Sequence, residues 1–209
     1  MAAGAPLVKA GSGPWRHQGT GPLCLWVLHG GSTILRVSIQ VDRLHILSYP
    51  NPVLRARAEA IESFNDQVCA VAQRMIQLMH EAPGIGLAAP QVGLSWRMFV
   101  ANATGDPQDD LIVINPVLSD PSKDSEEREE GCLSLPHVNG TIRRARAITV
   151  DAFGPNGEPF QHHAEDLLAR IFQHENDHLD GVLIIDRMPE IDRAANRRTL
   201  RELEKASRE

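Results

Sequence analysis

Leu167-Leu168-Ala169-Arg170-Ile171-Phe172-Gln173-His174-Glu175-Asn176-Asp177-His178-Leu179-Asp180-Gly181 is helical in its spacing and unusual in the polar residues it carries. The predicted helix runs from about Glu165 to Asp180, and Gly181 is a natural residue to end it. Leu167, Leu168, Ile171 and Phe172 mark a buried side. His174 and His178 stand at i and i+4, one turn apart on the same face. Burying two imidazoles and the carboxylate of Glu175 is costly unless they are paired or ligated. One histidine alone would be read as a satisfied core residue. Two of them around a glutamate can share a metal ion, with Glu175 beside its open position.

Two histidines leave a catalytic site one protein ligand short. In the long H-E-x-x-H-x-x-G-x-x-H pattern the third ligand lies downstream. Gly181 matches that pattern, but Ile184 stands at the last position and no histidine follows His178. Glu190, Glu202 and Glu204 remain downstream, in a charged stretch that reads as a solvated helix face. Upstream, Cys132 lies in Glu130-Gly131-Cys132-Leu133-Ser134-Leu135-Pro136. A lone cysteine is most often a small buried hydrophobe, yet here a glycine and a short apolar run let the backbone approach a site closely. A thiolate with two imidazoles makes an open tetrahedral site for Zn²⁺ or Fe²⁺. A third segment, Gly84-Ile85-Gly86-Leu87-Ala88-Ala89-Pro90-Gln91-Val92-Gly93, is small, apolar and loop-like. Without a following Lys-Ser/Thr it is no phosphate loop.

The 209 residues suit one globular domain with some extra length. A net charge of −6 argues against a dedicated nucleic-acid-binding protein. Cys24, Cys69 and Cys132 are too few and too scattered for a disulfide framework, so a reducing compartment is expected. No run nears the ~18 apolar residues of a membrane span, and no signal-peptide core follows Lys9 and Arg16. Residues 1–41 contain no Asp or Glu and show no sustained period. They read as an N-terminal extension, disordered or translated from an upstream start. Ser and Arg are too few there for a convincing organelle transit peptide. The domain is expected over residues 42–209.

A short strand is expected at His45–Ser48, and a turn at Tyr49-Pro50-Asn51-Pro52. Asp66–Glu81 places Val68, Val71, Ala72, Met75, Ile76 and Met79 at helical spacing, with Asn65 or Asp66 as cap and Pro83-Gly84 as stop. Strands are expected at Arg97–Ala101, Leu111–Asn115 and Ile148–Phe153, with a hairpin around Pro155-Asn156-Gly157. Ser119–Glu130 reads as a charged, solvated loop, and Pro189–Lys205 as one amphipathic closing helix. Without a repeated βαβ pattern, the class is α+β: mixed or antiparallel sheets around a central metal-binding helix, with a C-terminal helix.

Taken together, Gly84–Gln91, Glu130–Ser134 and Gln173–Gly181 resemble the three motifs of the peptide deformylase family, in the family's order and approximate spacing. The resemblance covers roughly Asp42 to Met188. It implies hydrolysis of the formyl group from the N-terminal formyl-methionine of newly synthesised proteins. It also implies that Cys132, His174 and His178 hold one divalent metal, natively Fe²⁺, with Zn²⁺ or Ni²⁺ able to substitute. Glu175 would be the acid–base residue. The Gln91 side chain and the Leu133 backbone N–H would stabilise the oxyanion. Ile85 and Gly86 would align the extended peptide, and Leu135, Leu167 and Ile171 would line the methionine slot. Glu130 would pair with Arg144. The chain departs from many members at Asn139, where they carry an arginine that bears on peptide contacts.

His137, His162 and His163 are expected on the surface. A monomer in the bacterial cytoplasm, or in an organelle, is expected. The substrate implies a transient ribosome contact, for which Arg197, Arg198 and Arg201 are candidates. Two other readings stay open from the residues: a zinc peptidase with a downstream glutamate ligand, and a non-catalytic protein with a structural metal.

Overall fold

The computed structural model describes residues 39–207. The expected extension therefore lies almost wholly outside the described residues. Ile39 and Val41, at its end, already pack against the core.

Helix α1 (Asp66–Glu81) begins where the Asn65 side chain accepts the N–H groups of Gln67 and Val68, satisfying two of the donors a helix start leaves orphaned. All six predicted apolar positions are buried. They cover one face of a five-stranded antiparallel sheet, ordered β1 (Gly86–Ala88), β2 (Met98–Ala101), β3 (Leu111–Ser119), β6 (Ala147–Phe153) and β7 (Pro159–Glu165). Strand β2 shows why it reads as an unbroken apolar run. Met98 and Val100 face the α1 cluster, whereas Phe99 and Ala101 face Ala169, Ile171 and Phe172 of helix α2 (Asp166–Leu179). With period 2 and both faces covered, every residue must be apolar. The expected hairpin at Pro155-Asn156-Gly157 joins β6 to β7, with Phe153 opposite Pro159.

Ser119–Glu130 is not the loop expected. Ser125–Cys132 forms strand β4, paired antiparallel with β5 (Leu135–Ala145), which the sequence pattern did not announce. In register Glu126 stands opposite Arg144 and Glu127 opposite Arg143, while the side chains join the two strands as Arg144–Glu130 and Arg143–Ser125, contacts that stabilise a pair of strands. The hairpin packs Leu135, Val138 and Ile142 onto Leu54, Leu183, Ile184 and Met188. Its outer edge is covered by the C-terminal segment. The Thr141 N–H donates to Asp192 (2.6 Å), and the Asn196 amide donates to the Asn139 carbonyl (2.7 Å).

These bonds also explain why the tail is two helices, not one. Helix α3 (Ile184–Arg187) precedes α4 (Glu190–Ala195) and α5 (Arg197–Ala206), the last two breaking at Asn196.

His45–Ser48 is extended but belongs to no sheet. Its hydrogen bonds go to two loops: Leu47 N–H to the Gln91 carbonyl and Tyr49 N–H to the Ser134 carbonyl, each 2.8 Å. The turn expected next is present; the Asn51 side chain accepts the Val53 N–H at 3.1 Å and opens a helical turn over Pro52–Arg55.

Helix α2 follows β7 directly and ends within a residue of the expected place. Gly181 has φ +73°, and a Cβ there would lie 2.5 Å from the Arg55 carbonyl oxygen. Both the left-handed backbone and the close approach require glycine.

Candidate metal centre

Helix α2 crosses between the sheet and the β4–β5 hairpin, so its polar face meets the end of β4. Among the described residues, Cys132, His174 and His178 bring a thiol and two imidazoles together, each donor atom within 4.8 Å of the others. The Cys132 Sγ lies 3.2 Å from Nε2 of His178. None of Glu190, Glu202 and Glu204 joins this group; Glu204 instead accepts the Tyr49 hydroxyl at 3.0 Å.

The donor set suits a divalent transition metal, since thiolate and imidazole together match Zn²⁺ and Fe²⁺. Orientation agrees with that role. His174 Nδ1 is bonded to Oε2 of Glu130 at 3.0 Å, which turns Nε2 towards Cys132 and is the usual carboxylate support of a metal-binding histidine. Burial pushes the His178 imidazole well below its ordinary pKa, keeping it in the neutral form that ligation needs.

The support continues inward as a buried charge network. Glu130 accepts from Arg144 Nε and Nη2 at 3.0 Å each and from Arg170 Nη1 at 2.6 Å. Arg144 also reaches Asp177 (2.5 Å), which in turn accepts from Arg187. Burial alone would raise the Glu130 carboxyl. The hydrogen bonds from His174 and Arg144, with the Arg144 charge, prevail and hold it at about 2. The expected Glu130–Arg144 pair is therefore present, but as part of a larger unit. Arg170 and Asp177 went unnoticed in the sequence, although they stand four residues before and three after His174, on the same helix face.

Glu175 is buried beside this group, and its Oε2 has no hydrogen-bond partner among the described residues. Burial pushes its carboxyl up to about 7. Gly86 of β1 lies against it so closely that a Cβ there would overlap the Glu175 carboxylate. Gly86→Ala should therefore displace Glu175 and lower kcat/KM by up to about 10²-fold, the scale of a 1 Å misplacement. Turnover and melting temperature measured on one preparation check this. Unchanged turnover would show that the carboxylate can shift freely.

Gln91 is buried, with both ends of its amide engaged. Oε1 accepts the Ala88 N–H at 2.8 Å, which fixes the flip and points Nε2 at Cys132 Sγ (3.5 Å) and Ser134 Oγ (3.2 Å). Ser134 was not singled out in the sequence; an apolar run gave no cue that its hydroxyl is buried and paired.

A cleft of about 470 Å³ opens onto this group, lined in part by Ile85, Gly86, Gln91, Leu133, Leu167 and Ile171. Leu135, expected as another wall, does not line it. β5 turns that side chain into the cluster with Leu54 and Ile184. Asn139 pairs with Gly131 across the hairpin and is likewise outside the cleft lining. Of the three surface histidines expected, His162 is instead half-buried, with its ring edge-on to Phe172 at 6.1 Å.

Comparison with known proteins agrees with this geometry. Residues 43–194 match the model of the polypeptide deformylase family. The peptide deformylase of Acidobacterium capsulatum is 42% identical over 163 residues, covering 77% of this chain and 95% of that protein. A chloroplastic peptide deformylase 1B from Solanum lycopersicum is 40% identical over 147 residues, 69% of this chain and 53% of its own length. Among solved structures, peptide deformylase from Plasmodium falciparum superposes with a TM-score of 0.75 at 37% identity, covering 78% of this chain and 96% of that one.

Proposed function

Because the chain belongs to the polypeptide deformylase family, we propose that it hydrolyses the formyl group from the N-terminal formyl-methionine of newly made proteins, releasing formate. The observation that carries this reading is the meeting of Cys132, His174 and His178 beside the buried Glu175 carboxylate, one oxygen of which has no partner among the described residues. Cys132, His174 and His178 would hold the divalent ion, natively Fe²⁺, with Zn²⁺ or Ni²⁺ able to take its place. When bound, such an ion supplies Lewis acidity, bringing the pKa of water to about 7 and polarising a carbonyl.

Glu175 takes the proton from the attacking water and delivers it to the methionine nitrogen as the C–N bond breaks. The amide nitrogen leaves only when protonated, so one carboxylate serves both steps. The Gln91 Nε2 and the Leu133 backbone N–H donate to the oxygen that gains negative charge on the formyl carbon. The bond from Ala88 keeps the donating end of Gln91 turned that way.

Strand β1 is an edge of its sheet. The substrate lies along Ile85-Gly86 in extended form, adding a strand to that edge. Leu167 and Ile171, with Leu133, take the methionine side chain. Formyl is the smallest acyl group, and the closeness of Gly86 to Glu175 supports exclusion of acetyl. The enzyme acts as a monomer wherever translation starts on formyl-methionine, in a bacterial cytoplasm or an organelle. Exposed Arg197, Arg198 and Arg201 on α5 are offered to the ribosome.

Formate release from formyl-Met-Ala-Ser, compared with acetate release from acetyl-Met-Ala-Ser, tests the proposal. Rapid, formyl-selective release is expected. No release from folded, metal-loaded protein would overturn it.

A further inference from the structure

The mouth of the cleft carries charges that the reaction does not use. Glu130 and Arg170 are bonded to each other inside, and Glu175 is buried. Arg128 is different: it lines the cleft and, among the described residues, its ion pair is with Glu126, at 2.8 Å, with side chains 47% and 36% exposed. Alternation along β4 puts Glu126, Arg128 and Glu130 on one face. Arg170 of α2 reaches that same face, donating to Glu130 Oε1 and to the Glu126 carbonyl (2.7 Å). Arg128 therefore stands on the wall shared with Leu167 and Ile171. Glu129 also borders the cleft, but alternation turns its side chain the other way.

We propose that Arg128 sets a sequence preference of the enzyme, favouring an acidic side chain at the third residue of the formylated peptide. The proposal rests on the deformylase reading of this cleft. In an extended peptide the first and third side chains share a face, roughly 7 Å apart. With methionine in the slot, the third side chain points at the same wall, further out. Arg128 precedes Cys132 by four residues of strand, about 13 Å, a span that the arginine and the third side chain close together. Exchange of partner is easy, because a solvent-exposed pair such as Arg128–Glu126 is weakly held. The overall charge of −6 works against acidic peptides, so a preference for them needs a local cation.

The test compares kcat/KM for formyl-Met-Ala-Asp-Ser, formyl-Met-Ala-Asn-Ser and formyl-Met-Ala-Lys-Ser amides, using metal-loaded wild type, Arg128→Met and Arg128→Glu. In wild type the Asp peptide should exceed the Lys peptide by about two- to fivefold at low salt, the range an exposed ion pair supports. The difference should lie in KM and shrink at about 1 M salt. Arg128→Met should level the series and Arg128→Glu reverse it. Equal rates in wild type, or a preference that survives in Arg128→Glu, overturns the proposal. No formate from the Asn peptide with wild type overturns the deformylase reading itself, and this inference with it.

Discussion

Glu175→Gln is expected to keep its metal and lose about 10²–10⁴-fold in formate release, the range that a positioned acid–base group contributes. The replacement matches the side chain in size, so the tight contact with Gly86 is retained. Cys132, His174 and His178 are untouched, and they are the grouped donors. What is lost is an oxygen able to accept and return a proton. Metal content by elemental analysis, beside kcat measured on the same sample, separates the two effects. Turnover near that of wild type in a metal-replete mutant would remove Glu175 from the chemistry. Loss of metal along with activity would instead give it a structural part in the centre.

The second large effect concerns stability. Arg144→Met should destabilise the fold by about 3–5 kcal/mol, the usual consequence of removing one partner from a buried ion pair. Arg144 donates to both Glu130 and Asp177, and all three are buried. Methionine fills much of the volume, so the cost falls on two carboxylates deprived of a shared cation. Arg170 and Arg187 continue to serve one each, which keeps the loss from being larger. Urea denaturation with an unchanged m-value is the measurement. A shift below about 1 kcal/mol would mean that water or the remaining arginines compensate fully.

How much could be read ahead of the structure depended on the range of the forces involved. Helix α2 was visible because its information is local: apolar spacing, an i, i+4 histidine pair and a terminal glycine lie within one segment. α1 was visible for the same reason, cap included. Cys132 was singled out by the chemistry it would complete, since nothing local marks a thiol as a ligand, and the structure groups it with His174 and His178. The β4–β5 hairpin was missed because its stabilisation comes from partners across the strands. The charged run read as solvated until Arg144 and Arg143 of β5 are seen reaching Glu130 and Ser125 of β4. Leu135 was misplaced by the same ignorance. The side that a strand residue faces follows from pairing register, and a shift of one residue reverses it. The network around Glu130 was half visible: one arginine was expected, but a second arginine and a histidine share the carboxylate.

The extended stretch at Leu47–Tyr49 gives irregular backbone an unexpected part in the centre. By bonding the Gln91 carbonyl on one side and the Ser134 carbonyl on the other, it ties together the loops that bear Gln91 and the Cys132–Leu133 turn. Loops ordinarily keep configurational freedom that must be given up when a substrate binds. Here much of that entropy is surrendered during folding, before any peptide arrives. In the proposed reaction, the Gln91 and Leu133 donors would thus be preorganised by a segment outside the cleft lining, leaving little reorganisation for the moment of reaction.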